Sequence, residues 1–178
     1  MMKKITLLIT IIVLFSLTIC FIGCEEENSP KSKSKMQIAQ DTAEEIMNCF
    51  IAKDENALYS ILSPKIQNSS RTKEEIRIAF DFIDGEIISY DLPTDTGGGG
   101  HSIREGKIVS DNMTPRIYNV ITNSGKRYTI GFQYFLIFEE DENVVGVYTM
   151  LISLMDDESP LNGAFIERIK IGGLLTDE

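Results

Sequence analysis

The chain has no tryptophan, one histidine (His101) and three cysteines among its 178 residues. So few imidazoles and thiols exclude the usual zinc and redox sets, and with them a disulfide framework. Positive charge is also short: 17 Lys and Arg stand against 27 Asp and Glu, a formal charge of −10. Two of the basic residues, Lys3 and Lys4, precede Cys24 while every acidic residue follows it, so a chain beginning at Cys24 carries 15 against 27, or −12. Nucleic acid and anionic lipid both require clustered Lys and Arg, so neither is an expected partner surface. The densest acidic run, Glu139-Glu140-Asp141-Glu142-Asn143, lacks the alternating ligands and central glycine of a calcium loop. It reads as a hairpin tip kept soluble by charge, and neither metal nor cofactor is expected. What the chain does have is apolar residues, at 43% enough to build one core at this length. That composition excludes collagen-like, coiled-coil and wholly disordered classes.

Met1–Lys4 is basic, and Ile5–Gly23 then runs uncharged and mostly apolar. This is the layout of an export signal, although the run also approaches the length of about 20 residues that spans a bilayer. Phe21-Ile22-Gly23-Cys24 resembles a bacterial lipobox, with an apolar residue at −3 and a small one at −1. The resemblance implies that residues 1–23 are a lipoprotein signal peptide and that Cys24 takes a diacylglyceryl group and becomes the acylated N-terminus. Several acyl chains bury enough methylenes, at about 0.8 kcal/mol each, for stable attachment. The expected location is the extracytoplasmic face of a bacterial cell membrane; an uncleaved anchor is the alternative. Cys20 follows bulky Ile19 and suits the site less well. Cys49 is then the one free thiol, placed inside a helical pattern as a small buried hydrophobe.

Glu25–Lys35 contains no hydrophobic residue and reads, with Cys24, as a disordered tether over residues 24–35. Extended, it reaches at most about 36 Å, against a radius of gyration of about 14 Å for a domain of the remaining size. The domain is expected over residues 36–178. Met36, Ala39, Ala43, Ile46, Met47 and Phe50 form one helical stripe. Asp54 is placed to cap a second helix with Leu58, Ile61 and Leu62 inward, stopped at Ser63-Pro64. Thr72 and Glu75 have capping-box spacing before a third stripe of Ile76, Ala79, Phe80 and Ile83, and Gly85 has the place of a helix-ending glycine.

Strands are predicted at Glu86–Asp91, Ile103–Val109, Thr114–Thr122, Arg127–Glu139 and Val144–Met155. Between the first two, Gly97–Gly100 lacks the Lys and the following helix of a phosphate loop and reads as a flexible surface loop carrying His101. Simple alternation puts Tyr128, Ile130, Phe132, Tyr134, Leu136 and Phe138 on one face of the middle strand. It puts Tyr148, Met150, Ile152 and Leu154 on the same face of the last. The opposite face then carries Phe135, Ile137, Val145, Val147 and Leu151. A wet sheet face should not show these, so either the tail (Phe165, Ile166, Ile169, Ile171) or a second copy of the chain is expected to cover them.

Helices followed by a meander of long antiparallel strands resemble the nuclear-transport-factor-2-like (SnoaL-like, cystatin-like) α+β cone: N-terminal helices packed on a curved antiparallel sheet. Particular stretches resemble a family of small bacterial lipoproteins, domain of unknown function 5104. They are Ala43-Glu44-Glu45-Ile46, Lys53-Asp54 with Leu58 and Ser63-Pro64, Phe82-Ile83-Asp84-Gly85-Glu86-Ile87, Thr122–Ile130 and Val145-Gly146-Val147. That resemblance implies no catalytic residue. The cone implies a pocket between sheet and helices, for which Tyr128, Tyr134, Tyr148, Asp84 and Asp91 are the candidate lining. Three functions follow as expectations. The first is a tethered, non-enzymatic module binding a small ligand or a partner protein. The second is a SnoaL-like isomerase, dehydratase or hydrolase using Asp84, Asp91 or His101. The third is a self-associating structural lipoprotein, a homodimer through Phe135, Ile137, Val147 and Leu151.

Overall fold

A computed structural model describes residues 33–155 and 165–173. The expected signal, the lipidation site at Cys24 and the tether as far as Ser32 lie outside the described residues. Helix α1 (Lys35–Ala52) opens where the Ser34 hydroxyl accepts the Gln37 N–H at 3.2 Å, and closes at Lys53 in the left-handed conformation. The Lys53 N–H returns to the Cys49 and Phe50 carbonyls, the usual way of satisfying a helix end. Ala39, Ala43, Ile46, Met47 and Phe50 are its buried stripe, as the 3.6-residue period requires. Asp54 caps α2 (Glu55–Ile61) by accepting the Ala57 N–H at 2.9 Å. Ser63-Pro64 stops that helix and at once starts a single turn, α3 (Pro64–Gln67), with proline at the position that needs no donor.

Helix α4 (Thr72–Phe82) carries no capping box. The Thr72 hydroxyl turns inward to donate to the Ile66 carbonyl at 2.5 Å, and Glu75 accepts the Gly172 N–H at 2.9 Å. Both side chains tie the helix to its neighbours instead of to its own first turn.

The strands are β1 (Ile87–Asp91), β2 (His101–Arg104), β3 (Lys107–Met113), β4 (Arg116–Thr122), β5 (Arg127–Phe138), β6 (Gly146–Met155) and β7 (Phe165–Gly172). They form one open antiparallel sheet with β5 at its centre, so the fold is α+β, helices first and sheet after. β3 and β4 are two halves of one long strand beside β5: Met113 pairs with Tyr134 and Arg116 with Gly131. Pro115 has no N–H to give the ladder, so the strand breaks there, and its carbonyl accepts the Phe132 N–H at 3.1 Å. β1 borders β4 and β2 borders β3, while β6 and then β7 extend the other side. The predicted strand Ile103–Val109 is instead a hairpin, because Glu105 (φ 52°) and Gly106 (φ 80°) make the tight turn that two left-handed residues allow.

Among the described residues the tail does not cover the outer face. β7 pairs edge to edge with β6, placing Ile171 in the core and Ile169 against it, with Ile166 exposed. Simple alternation also fails in β6. Gln133 pairs with Thr149 but Tyr134 with Val147, so Tyr148 is an extra, bulged residue. The bulge reverses the faces beyond it and sends Val147, 0% exposed, into the core. A second shift, at Leu136, pairs Asp111 with Ile137 and Ser110 with Phe138. Phe138 therefore joins Phe135 on the outer face, their rings 5.3 Å apart, and Ile137 leaves it. Ile46, Met47, Leu58, Ile76, Ile117, Tyr128, Ile130, Met150 and Ile152 fill the space between helices and sheet. Among the described residues no helix is long and apolar enough to cross a membrane.

Candidate functional site

The five residues expected to line a central pocket do not converge. Tyr128 is 1% exposed and locks the end of α4: its hydroxyl donates to the Phe82 carbonyl (3.2 Å) and accepts the Asp84 N–H (3.0 Å). Its ring meets Phe82 edge to face at 5.7 Å. The Asp84 carboxylate points away, to Lys126 at 2.9 Å on the surface, and that hydrogen bond holds the Lys126 pKa above its ordinary value. Asp91 is exposed and accepts from the Asn119 amide at 2.6 Å. Tyr134 and Tyr148 are half-buried in the far half of the β5–β6 pair, where Tyr148 meets Phe135 edge to face at 5.6 Å. Of the candidate association patch, Phe135 and Leu151 are half-buried, Ile137 is exposed and Val147 is in the core.

A groove of about 270 Å³ opens elsewhere, where the C-terminal ends of α1 and α4 meet the start of β1. Phe50, Phe80, Ile83 and Ile87 form its apolar wall, with half-exposed Ile51 at the edge and Lys53 and Glu86 as its charged residues. The Phe50 and Phe80 rings stack at 4.8 Å and 32°, giving the wall a rigid aromatic base. Both charged residues have pinned backbones. Lys53 is the left-handed cap of α1, and Glu86 exchanges two bonds with Asn123, N–H to Oδ1 and carbonyl to N–H, each 2.9 Å. Gly85 (φ 91°) permits that approach, since a Cβ there would stand 2.5 Å from the Asn123 Oδ1.

The glycine run is not a loose loop. Its backbone lies against β3 and β4, with the Thr114 N–H donating to the Thr96 carbonyl (3.0 Å), the Asn112 N–H to the Gly100 carbonyl (3.0 Å) and the Thr114 hydroxyl to the Gly98 carbonyl. Two shallower clefts lie on either side, one of about 150 Å³ touching Lys35, His101 and Asn112, the other of about 350 Å³ touching Asp95, Arg116 and Tyr118. His101 begins β2 directly opposite Asp111, a buried residue whose carboxylate is held by the Lys35 ammonium at 2.5 Å. Among the described residues no group of three or more His, Cys, Asp and Glu gathers to hold a metal. Cys49 is buried, and burial, with Glu45 and Asp54 nearby, pushes its thiol up to about 11. It is protonated at neutral pH and inert as a nucleophile.

Residues 45–157 match the family described as domain of unknown function (DUF5104). The chain belongs to that family. Curated proteins show no match. The matched span runs from the middle of α1 just past β6 and includes the groove, the glycine run and the sheet except β7.

Sequence reasoning passed over the groove because its parts are ordinary where they occur. Lys53 follows a helix, Glu86 opens a strand, and Phe50, Phe80 and Ile83 satisfy helical stripes. One signal was present: two of the stretches that carry the family resemblance, Lys53-Asp54 and Phe82–Ile87, meet here in space.

Proposed function

We propose that this family member is a lipid-anchored protein of the bacterial cell membrane. It is held on the extracytoplasmic face through Cys24, and its domain binds a small ligand or a partner without transforming it. The order of segments supports this: an apolar run, the lipobox-like Phe21-Ile22-Gly23-Cys24, a polar stretch, then helix α1 capped at Ser34. Helices lying in the curve of an open antiparallel sheet also suit the nuclear-transport-factor-2-like cone, and we read the domain as one.

The observation that carries the binding reading is the groove between the helix ends. It is the place where an aromatic and aliphatic wall meets two charged residues held on pinned backbone. The interior of the cone is instead filled by side chains such as Tyr128, Ile130 and Met150. The enzymatic alternative loses the support of Asp84 and Asp91, which are surface groups engaged by Lys126 and Asn119, and keeps only His101 beside Asp111. Self-association would draw on Phe135 and Phe138, whose rings meet on the outer face, with Leu151.

Replacing the Cys24 sulfur tests the anchor. Cys24→Ser is expected to abolish incorporation of labelled fatty acid and to leave the leader uncleaved. Unchanged acylation and cleavage would refute lipidation at this position.

A further inference from the structure

The groove at the helix ends has a shape and a charge pattern that together specify a class of ligand. Its volume of about 270 Å³ lies just below the range of about 300–1,000 Å³ usual for small-molecule sites, which suits a ligand of small size. The wall is apolar and aromatic. Among the residues that line it are one basic residue, Lys53, and one acidic residue, Glu86.

Several lysines elsewhere on the domain are engaged by carboxylates, Lys126 by Asp84, Lys107 by Glu139 and Lys65 by Asp141. Among the described residues neither Lys53 nor Glu86 takes part in an ion pair. Yet both have fixed backbones, at a left-handed helix cap and in the two-bond exchange with Asn123. Helix α4 ends at its Ile83 cap, three residues before Glu86, and its carbonyl end favours a cation on that side, whereas α1 ends at Lys53, whose own ammonium offsets its carbonyl end. A molecule of one charge would satisfy one of the two residues and leave the other facing its own repelling or unanswered group.

We propose that this groove binds a small zwitterion with an aliphatic body, an apolar α-amino acid. Its ammonium meets Glu86, its carboxylate meets Lys53, and its side chain lies on the Phe50–Phe80 base. This deepens the binding reading above and rests on it, but it is independent of the lipid anchor.

The test is calorimetric titration of the full chain in detergent with three probes: leucine, 3-methylbutylamine, which lacks the carboxylate, and 4-methylpentanoate, which lacks the ammonium. Leucine is expected to bind at least tenfold more tightly than either. Glu86→Gln should weaken leucine at least tenfold and leave 4-methylpentanoate unchanged. Lys53→Gln should weaken leucine and leave 3-methylbutylamine unchanged. Both are exposed polar exchanges, so the melting temperature should hold, and the three-probe comparison on the parent protein needs no variant. Equal binding of all three probes overturns the zwitterion while leaving an apolar binding groove. Binding by none overturns the groove as a ligand site, and the binding reading then falls back on a partner protein.

Discussion

A single methyl group at Gly97 is expected to separate a docked glycine run from a loose one. Gly97 has φ 65°, and a Cβ there would overlap the Thr114 carbonyl oxygen and come within 2.5 Å of its carbon. Thr114 cannot step aside cheaply: its N–H is bonded to Thr96, and the next carbonyl, of Pro115, holds Phe132 of β5. The left-handed conformation alone costs alanine about 1–2 kcal/mol relative to glycine, and the overlap adds about 1–3 kcal/mol of overpacking. The chain has one escape, which is to release the run from the sheet. That forfeits at least the three stronger hydrogen bonds, Thr114 N–H to Thr96, Thr114 hydroxyl to Gly98 and Asn112 N–H to Gly100, each worth about 1 kcal/mol net, besides the longer one from the Asn112 side-chain amide to Gly100. The smaller of the two penalties governs, so Gly97→Ala should lose about 2–3 kcal/mol.

Gly99→Ala should behave similarly, since its Cβ would overlap the Asn112 carbonyl oxygen and sit 3.0 Å from the Met113 Cα. Gly100→Ala is the control: nothing lies within 4 Å of the added methyl, and the lower entropy of the unfolded chain should leave stability unchanged or raised by about 0.5 kcal/mol. Urea denaturation followed by circular dichroism reads all three, with midpoints moving at constant slope. If Gly97→Ala and Gly100→Ala agree within about 0.5 kcal/mol, the run is not docked and the clefts beside it have no fixed walls.

The remaining predictions test the lock, the register and the thiol. Tyr128→Phe removes the donor to Phe82 and the acceptor for the Asp84 N–H, and should cost about 1–3 kcal/mol in denaturant titrations; a neutral result would mean that water replaces the hydroxyl. Val147→Asp puts a charge at a fully buried position and should prevent folding, whereas Leu151→Asp, half-buried on the outer face, should lose about 1 kcal/mol. The reverse order, read from soluble yield and circular dichroism, would restore unbroken alternation in β6 and remove the bulge. Cys49 should resist a thiol reagent at pH 8 until the protein unfolds. Its folded thiol keeps its proton to about pH 11, above the ordinary value near 9, so stability should be full below pH 9 and fall as pH rises towards 11; rapid labelling of folded protein at pH 8 would refute the burial.

What could be read in advance follows from how far each physical rule reaches along the chain. A helical stripe is a local property, so the buried faces of α1 and α4 and the Asp54 cap were legible from spacing alone. A capping box is only conditionally local: Thr72 and Glu75 have the spacing, but the Ile66 carbonyl and the Gly172 N–H offer partners that sequence spacing does not reveal. Strand alternation survives until a partner strand forces a bulge. The Gln133–Thr149 and Tyr134–Val147 pairs set the one at Tyr148, which is why Val147 looked like an outer-face residue and is a core residue. Glycine is the hardest case, because its absent side chain is compatible with freedom and with close contact alike. Gly97 and Gly99 need their missing Cβ to touch Thr114 and Asn112, whereas Gly100 does not, and nothing in four identical letters distinguishes them. The groove sits at the far end of this scale. It arises where two helix ends and a strand start meet, each built for its own local reasons, so the Lys53 and Glu86 pairing is a property of the assembled fold.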